Sequence, residues 1–222
     1  MNATVKKAFI IAVVAVLARI DVQAQAPFAH LVADMPTTDV PFKAAKDITK
    51  RSYGIPGYKG YISAKLYEDI QCTSYFMADT EESAPDSYAK FRIPDTPHYL
   101  FVASFGGPTD YLTDLLVVVD SEGHVLDTLE ASVWYFPGIA VKQYEVTENY
   151  EVIIHMLKPL APNSISFADF SSFPASRMSR TYRIADGKFV LQSEKSYRPQ
   201  IYTRSRLEQE TYNIWNGQEQ IL

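Results

Sequence analysis

The sequence predicts a mainly β protein: an antiparallel meander of hairpins forming a sheet, open-barrel or sandwich-like, with one or two short helices. Three observations lead there. Apolar runs of strand length recur between residues 99 and 193 at the spacing of about 8–12 residues typical of all-β domains. Short polar turns carrying Gly or Asn separate them, as in Ser121-Glu122-Gly123, Thr147-Glu148-Asn149 and Asp186-Gly187. No β-α-β rhythm interrupts the series, and no repeat of about 40–50 residues marks propeller blades.

Taken in order, Met1 to Ala24 reads as a cleavable bacterial-type signal peptide. Lys6 and Lys7 precede the apolar run Ala8–Ala18, and Val22-Gln23-Ala24 offers small residues where a signal peptidase reads. The 11-residue run is too short for a permanent anchor, which needs roughly 20 residues. No cysteine follows it, so a lipid anchor finds no support. The expectation is a protein that is periplasmic or secreted, soluble and not integral to a membrane. Residues 25–57 are punctuated by Pro27, Pro36, Pro41, Gly54, Pro56 and Gly57 and read as an extended lead-in, with a short helix near Phe42–Lys50. Residues 58–222 then form a single β-rich domain.

Within that domain, residues 58–78 fit helix and strand periods equally, because Ile62, Leu66 and Ile70 are four apart. Asp79–Ser87 is acidic, holds Pro85 and reads as a loop. Strands follow at Tyr99–Phe105, Leu112–Asp120, His124–Ala131, Val141–Val146 and Tyr150–Leu157. The second hairpin turns at Asn149, a residue that tolerates the left-handed conformation. The strongest local signal is Thr181–Ala185, Asp186-Gly187, Lys188–Ser193, a type I′ dipeptide between alternating runs. It predicts the pairs Ala185–Lys188, Ile184–Phe189, Arg183–Val190, Tyr182–Leu191 and Thr181–Gln192. Residues 204–222 read as a short helix with Leu207, Tyr212 and Trp215 packing back.

Composition narrows function. The chain carries a formal charge of −5, and removing residues 1–24 makes it −7. A net acidic domain without a basic run argues against nucleic acid and anionic membrane as partners. Cys72 is the lone cysteine, so no intramolecular disulfide forms; it reads as a small buried residue, since no His or basic residue adjoins it. Fifteen tyrosines and twelve phenylalanines suit half-buried sheet faces, and equally suit surfaces that bind sugars or peptides.

Catalytic signatures are sparse. There is no Gly-x-Ser-x-Gly elbow or Ser-x-x-Lys motif. There is no His-Glu-x-x-His motif and no phosphate-cradling glycine loop, so no cofactor and no metal is expected. Asp120-Ser121-Glu122-Gly123 superficially suggests a calcium loop and lacks the later acidic ligand, so it reads as a wet hairpin turn. His30, His98, His124 and His155 are scattered. Asp110, Asp114 and Glu130 lie near strand ends, where paired carboxylates would have to converge in space. Ser172 and Ser176 sit in a long segment, Lys158–Ser179, which reads as a loop. It holds Phe167, Phe170 and Phe173 three residues apart, as along one side of a short helix begun at Asn163 or Ser164. These phenylalanines are the candidate contacts for a ligand or partner, against the alternative that they cap the core.

The functional expectation is therefore an exported binding or accessory protein of the bacterial envelope, its partner a glycan, peptide or protein. A carboxylate-dependent hydrolase of an envelope polymer is the enzymatic alternative. An inhibitor or assembly factor is the third reading, favoured if an exposed apolar patch lies beside the Phe167–Phe173 segment.

Overall fold

The computed structural model describes residues 26–44, 53–55, 86–107, 111–135, 139–161 and 169–216. Cys72, Asp110, Phe167 and the ambiguous 58–78 segment lie outside the described residues. In chain order the elements are α1 (Ala29–Asp34), β1 (Phe42–Lys43), β2 (Tyr53–Gly54), β3 (Asp86–Arg92), β4 (Tyr99–Gly107), β5 (Tyr111–Val119), β6 (Val125–Tyr135), β7 (Ile139–Val146), β8 (Val152–Pro159), β9 (Ser172–Ala185), β10 (Lys188–Ser196) and β11 (Gln200–Thr203). Helix α2 (Arg204–Leu207) and a 3₁₀ turn (Ile214–Asn216) follow.

The sheet is an antiparallel meander, ordered β10-β9-β8-β7-β6-β5-β4-β3-β2, with β1 on β7 and β11 on β9. Among the described residues its end strands do not pair with one another, and the sheet is not closed into a barrel. β6 and β7 pair only from Val133 to Tyr135. Beyond that point β1 takes over the same edge of β7, with Phe42 opposite Val146 and Lys43 opposite Glu145. The sheet is thereby forked, and β1 lies in the fork.

Side chains alternate across a strand, which sorts the core into layers. On the concave face, Phe91, Leu100, Val102, Leu116, Val118, Tyr144, Val146, Ile154, Met156, Met178 and Ile184 form one cluster with Phe42. The outer face of β4 and β5 is buried as well. Phe101, Ala103, Leu115, Val117 and Val119 lie under Phe28, Leu31 and Met35 of the α1 segment. A continuous Leu-Leu-Val-Val-Val run is what burial on both faces requires. The outer face of β7–β9 is covered in turn by β11 and the C-terminal segment, through Tyr202, Leu207, Tyr212 and Ile214.

α1 is locked on at two points. Lys90 Nζ donates to the carbonyls of Leu31, Val32 and Met35 at 3.3, 2.7 and 2.7 Å, which satisfies the groups a helix leaves open at its C-terminal end. The Phe28 amide donates to Gly123 O at 3.3 Å. Gly123 has φ +88°, and a Cβ there would stand 2.2 Å from the Ala29 nitrogen, so only glycine admits this approach.

Several sequence expectations are corrected. In the lead-in a helix stands at Ala29–Asp34, whereas Phe42–Lys43, where the expected helix begins, is a strand, because Phe42 packs edge-on against Phe91 at 5.3 Å and the backbone pairs with β7; residues 45–50 of that expected helix lie outside the described residues. Asp86 and Ser87 belong to β3, paired with Ser104 and Ala103. The β7–β8 turn takes its left-handed residue at Tyr150 (φ +59°), not Asn149. Asp186 and Gly187 have φ of +51° and +75°, as a type I′ turn demands. The pairs Ala185–Lys188 through Tyr182–Leu191 form as read, but a bulge at Gln192 gives Thr181 the partner Ser193. Ser172–Ser179 is strand and not loop: β8 pairs it from Ala175 onward, β11 pairs Ser172–Ala175 and β10 pairs it from Met178 onward, so the backbone finds ladder partners that a loop lacks. Trp134 and Tyr135 lengthen β6 beyond Ala131.

Candidate functional site

Phe170 and Phe173 are buried. Their rings meet edge to face at 5.2 Å, and Phe173 stacks on Tyr202 at 6.1 Å. Phe173 stands in β9, so a helix does not carry it. Asp114 lies on the concave face of β5 with Leu116. Glu130, opposite Leu115, lies on the outer face of β6. Adjacent strands thus point these two carboxylates away from one another, and they do not form a glycosidase-like pair. Ser172 is exposed and Ser176 half-buried. His30 is exposed on α1, and His98 is half-buried before β4.

At the β5–β6 turn, Asp120 Oδ1 accepts from the amides of Glu122 and His124, each at 2.9 Å, while Oδ2 meets His124 Nδ1 at 3.0 Å. Burial alone would raise the Asp120 pKa. The bonds from His124 and Glu122 outweigh it and hold the carboxyl below its ordinary value. The carboxylate is committed to its own turn.

Two polar constellations remain. The first is inside the sheet. Tyr88 donates its hydroxyl proton to Asp114 Oδ2 at 2.6 Å, and Tyr144 OH lies 3.0 Å from Tyr88 OH. A tyrosine has one proton to give, so Tyr144 donates to Tyr88 and the chain runs Tyr144 to Tyr88 to Asp114. Ser132 Oγ accepts the Asp114 amide at 3.2 Å. Burial, reinforced by the Asp114 charge, pushes both phenols well above their usual range. Phe42 and the aliphatic cluster surround the two tyrosines, so this chain specifies the packing of the concave core.

The second lies on the convex face. Glu145 takes Nε2 of His155 at 2.9 Å and Nζ of Lys43 at 3.3 Å on its two oxygens. The His155 hydrogen bond, with Lys43 adding to it, holds the Glu145 carboxyl below its ordinary value. Trp215 covers both of these partners: its ring centroid is 5.5 Å from Lys43 Nζ and 6.1 Å from the His155 ring. Gln143 places it there, donating to Asn213 Oδ1 at 2.8 Å and accepting the Ile214 amide at 2.7 Å. Ser179 is buried directly across from His155. Serine, histidine and glutamate therefore share a face, yet His155 Nδ1 is buried without a hydrogen bond, so no proton relay links them. The arrangement clasps the C-terminal segment to the sheet.

The exposed apolar side chains collect elsewhere. Among the described residues the large ones are Val125, Leu126, Leu160, Val190, Leu191 and Ile201. Four of these stand on or beside the two strands that pair with the same edge of β9. Val190 and Leu191 are 43% and 50% exposed on β10, Ile201 is 60% exposed on β11, and Leu160 is 56% exposed beside them. Leu160 donates its amide to Pro174 O, and Pro174 sits opposite Ile201. Ile201 and Leu160 thus stand beside Phe173, whereas Val190 and Leu191 lie opposite Arg183 and Tyr182 toward the other end of β9, on opposite faces of the hairpin. Among the described residues β10 pairs with β9 alone, and β6 lies against the start of its other edge, where Asp127 Oδ2 accepts the Phe189 amide at 2.9 Å.

The sequence reading passed over this edge because Val190 and Leu191 look like ordinary strand residues until the partner strand is known. One signal was available. From Arg177 to Arg206 the chain carries eight Lys and Arg against two Asp and Glu, a local excess of +6 in a chain of −5. Comparison with protein-family models, with curated proteins and with solved structures finds no match to this chain.

Proposed function

We propose that this chain is an exported binding or accessory protein of the bacterial envelope that engages a protein partner along the β10–β11 edge. The reading rests on the exposed apolar residues Val190 and Leu191 on β10, Ile201 on β11 and Leu160 beside it, on strands that pair with β9 alone among the described residues, with Asp127 of β6 meeting the β10 edge only at Phe189. Apolar side chains left in water beside unpaired strand backbone are the two components a partner strand uses: main-chain bonds for affinity and side-chain contacts for specificity. The N-terminal signal-like segment supports export.

The test uses purified residues 25–222 on arrays of extended peptides and of glycans. Peptide capture is expected, and Leu191→Asp with Ile201→Asp abolishes it while the far-ultraviolet dichroism stays unchanged. Capture of glycans alone, or peptide binding indifferent to both substitutions, overturns the reading.

A further inference from the structure

Resting on that reading of the edge, we infer that the partner is an acidic extended segment, recognised by a cationic ribbon on the convex face of β9 and β10. Cross-strand partners share a face and alternate residues share a face. Ile184 and Met178 belong to the concave core. Their neighbours Arg183, Ser179 and Arg177 therefore face outward, together with Lys188 opposite Ala185, Val190 opposite Arg183, and Lys195 opposite Ser179.

The charges on the two faces differ. On the concave side Glu194 neutralises Arg180 at 2.7 Å, and Asp186 stands exposed in the turn at the hairpin tip. On the convex side of the hairpin the strands carry Arg177, Arg183, Lys188 and Lys195 and no carboxylate. Arg177 is buried and stacked on Tyr197 at 3.6 Å, whereas Arg183, Lys188 and Lys195 are exposed. A cationic ribbon in a chain of net charge −5 attracts a negative partner while the rest of the molecule repels it, so docking is steered to this edge.

Spacing narrows the ligand further. Counted along β9, the rows of Lys188, Arg183 and Lys195 fall at residues 185, 183 and 179. At about 3.4 Å per residue these rows stand roughly 7 and 20 Å from the first. An extended segment laid along this convex face has the same rise, so acidic side chains at positions i, i+2 and i+6 on its inward side meet all three cations. The bulge at Gln192 interrupts a flat pairing edge and disfavours indiscriminate strand addition, leaving the charge pattern to select the partner.

The experiment uses residues 25–222 and three decapeptides that alternate Val and Thr, with Glu, Lys or Ser at positions 3, 5 and 9. The Glu peptide is expected to bind about tenfold or more tightly than the Ser peptide, the sum of three exposed ion pairs. The Lys peptide binds weakest, and 0.5 M salt removes most of the preference, as screening over about 3–5 Å requires. Arg183→Glu, Lys188→Glu and Lys195→Glu combined reverse the order of Glu and Lys peptides. If all three peptides bind alike and Leu191→Asp with Ile201→Asp abolishes binding, the edge is a docking strand but its partner is not acidic, and this inference falls alone. If no peptide binds while heparin or phosphatidylglycerol vesicles do, both this inference and the protein-partner reading fall.

Discussion

Asp127 Oδ2 accepts the backbone N–H of Phe189 at 2.9 Å, tying β6 to the first turn of β10 across 62 residues of chain. Phe189 pairs with Ile184 on β9, and its amide points to the outer side of the hairpin. The carboxylate satisfies an edge donor that has no strand to serve it. Replacing Asp127 by Ala should cost about 1–2 kcal/mol, the range for a partly exposed bond to a charged acceptor. Urea unfolding measures the cost. Hydrogen exchange at the Phe189 amide should speed at least as much as at the global unfolding limit, and an unchanged rate there would show that the latch carries no weight.

The direction of the concave hydrogen-bond chain sets an order among conservative variants. Tyr88→Phe removes the donor that a buried carboxylate relies on, which costs about 2–3 kcal/mol. Tyr144→Phe leaves the Tyr88–Asp114 bond at 2.6 Å intact and should cost about 1 kcal/mol. Denaturant titration of the two variants reads the order. A larger loss for Tyr144→Phe would mean that the chain runs the other way.

Glu145 supplies a pH dependence. Its folded pKa lies below the ordinary value because His155 and Lys43 favour the carboxylate. The unfolded state therefore binds more protons in that window, and stability rises with pH there. The contribution is complete above the unfolded value of about 4.3 and is lost as pH falls through the lower folded value. Glu145→Gln removes this dependence, so the melting temperatures of wild type and variant should converge on acidification from pH 6 to pH 3. Parallel melting curves across that range would refute the clasp. Trp215 fluorescence offers a second readout, since the ring leaves Lys43 and His155 when the clasp opens.

Much of the scaffold was legible in the order of residues because it depends on short-range chemistry. Asp186-Gly187 sets a turn with two left-handed residues, and the alternation around it sets the pairs from Ala185–Lys188 to Tyr182–Leu191. The same local logic misled at Asn149, where either of two neighbours is able to supply the left-handed residue and Tyr150 does. It also misled across Ser172–Ser179, where serines and a proline look like loop until two partner strands claim them. Of the phenylalanines proposed as contacts, Phe170 and Phe173 lie in the core, whereas the exposed apolar side chains stand on the neighbouring edge.

The sequence by itself determined the meander: neighbouring hairpins pair with what adjoins them, and turn chemistry and side-chain alternation act over a few residues. Only the tertiary structure decided which strands are buried on both faces, that β10 pairs with β9 alone among the described residues, and that Arg183, Lys188 and Lys195 share one side while Glu194 is turned away. Those outcomes depend on β1 entering the fork, on α1 closing over β4 and β5, and on the C-terminal segment closing over β7–β9. Each is a contact between residues far apart in the chain, and its energy comes from surfaces that exist only once the sheet has formed.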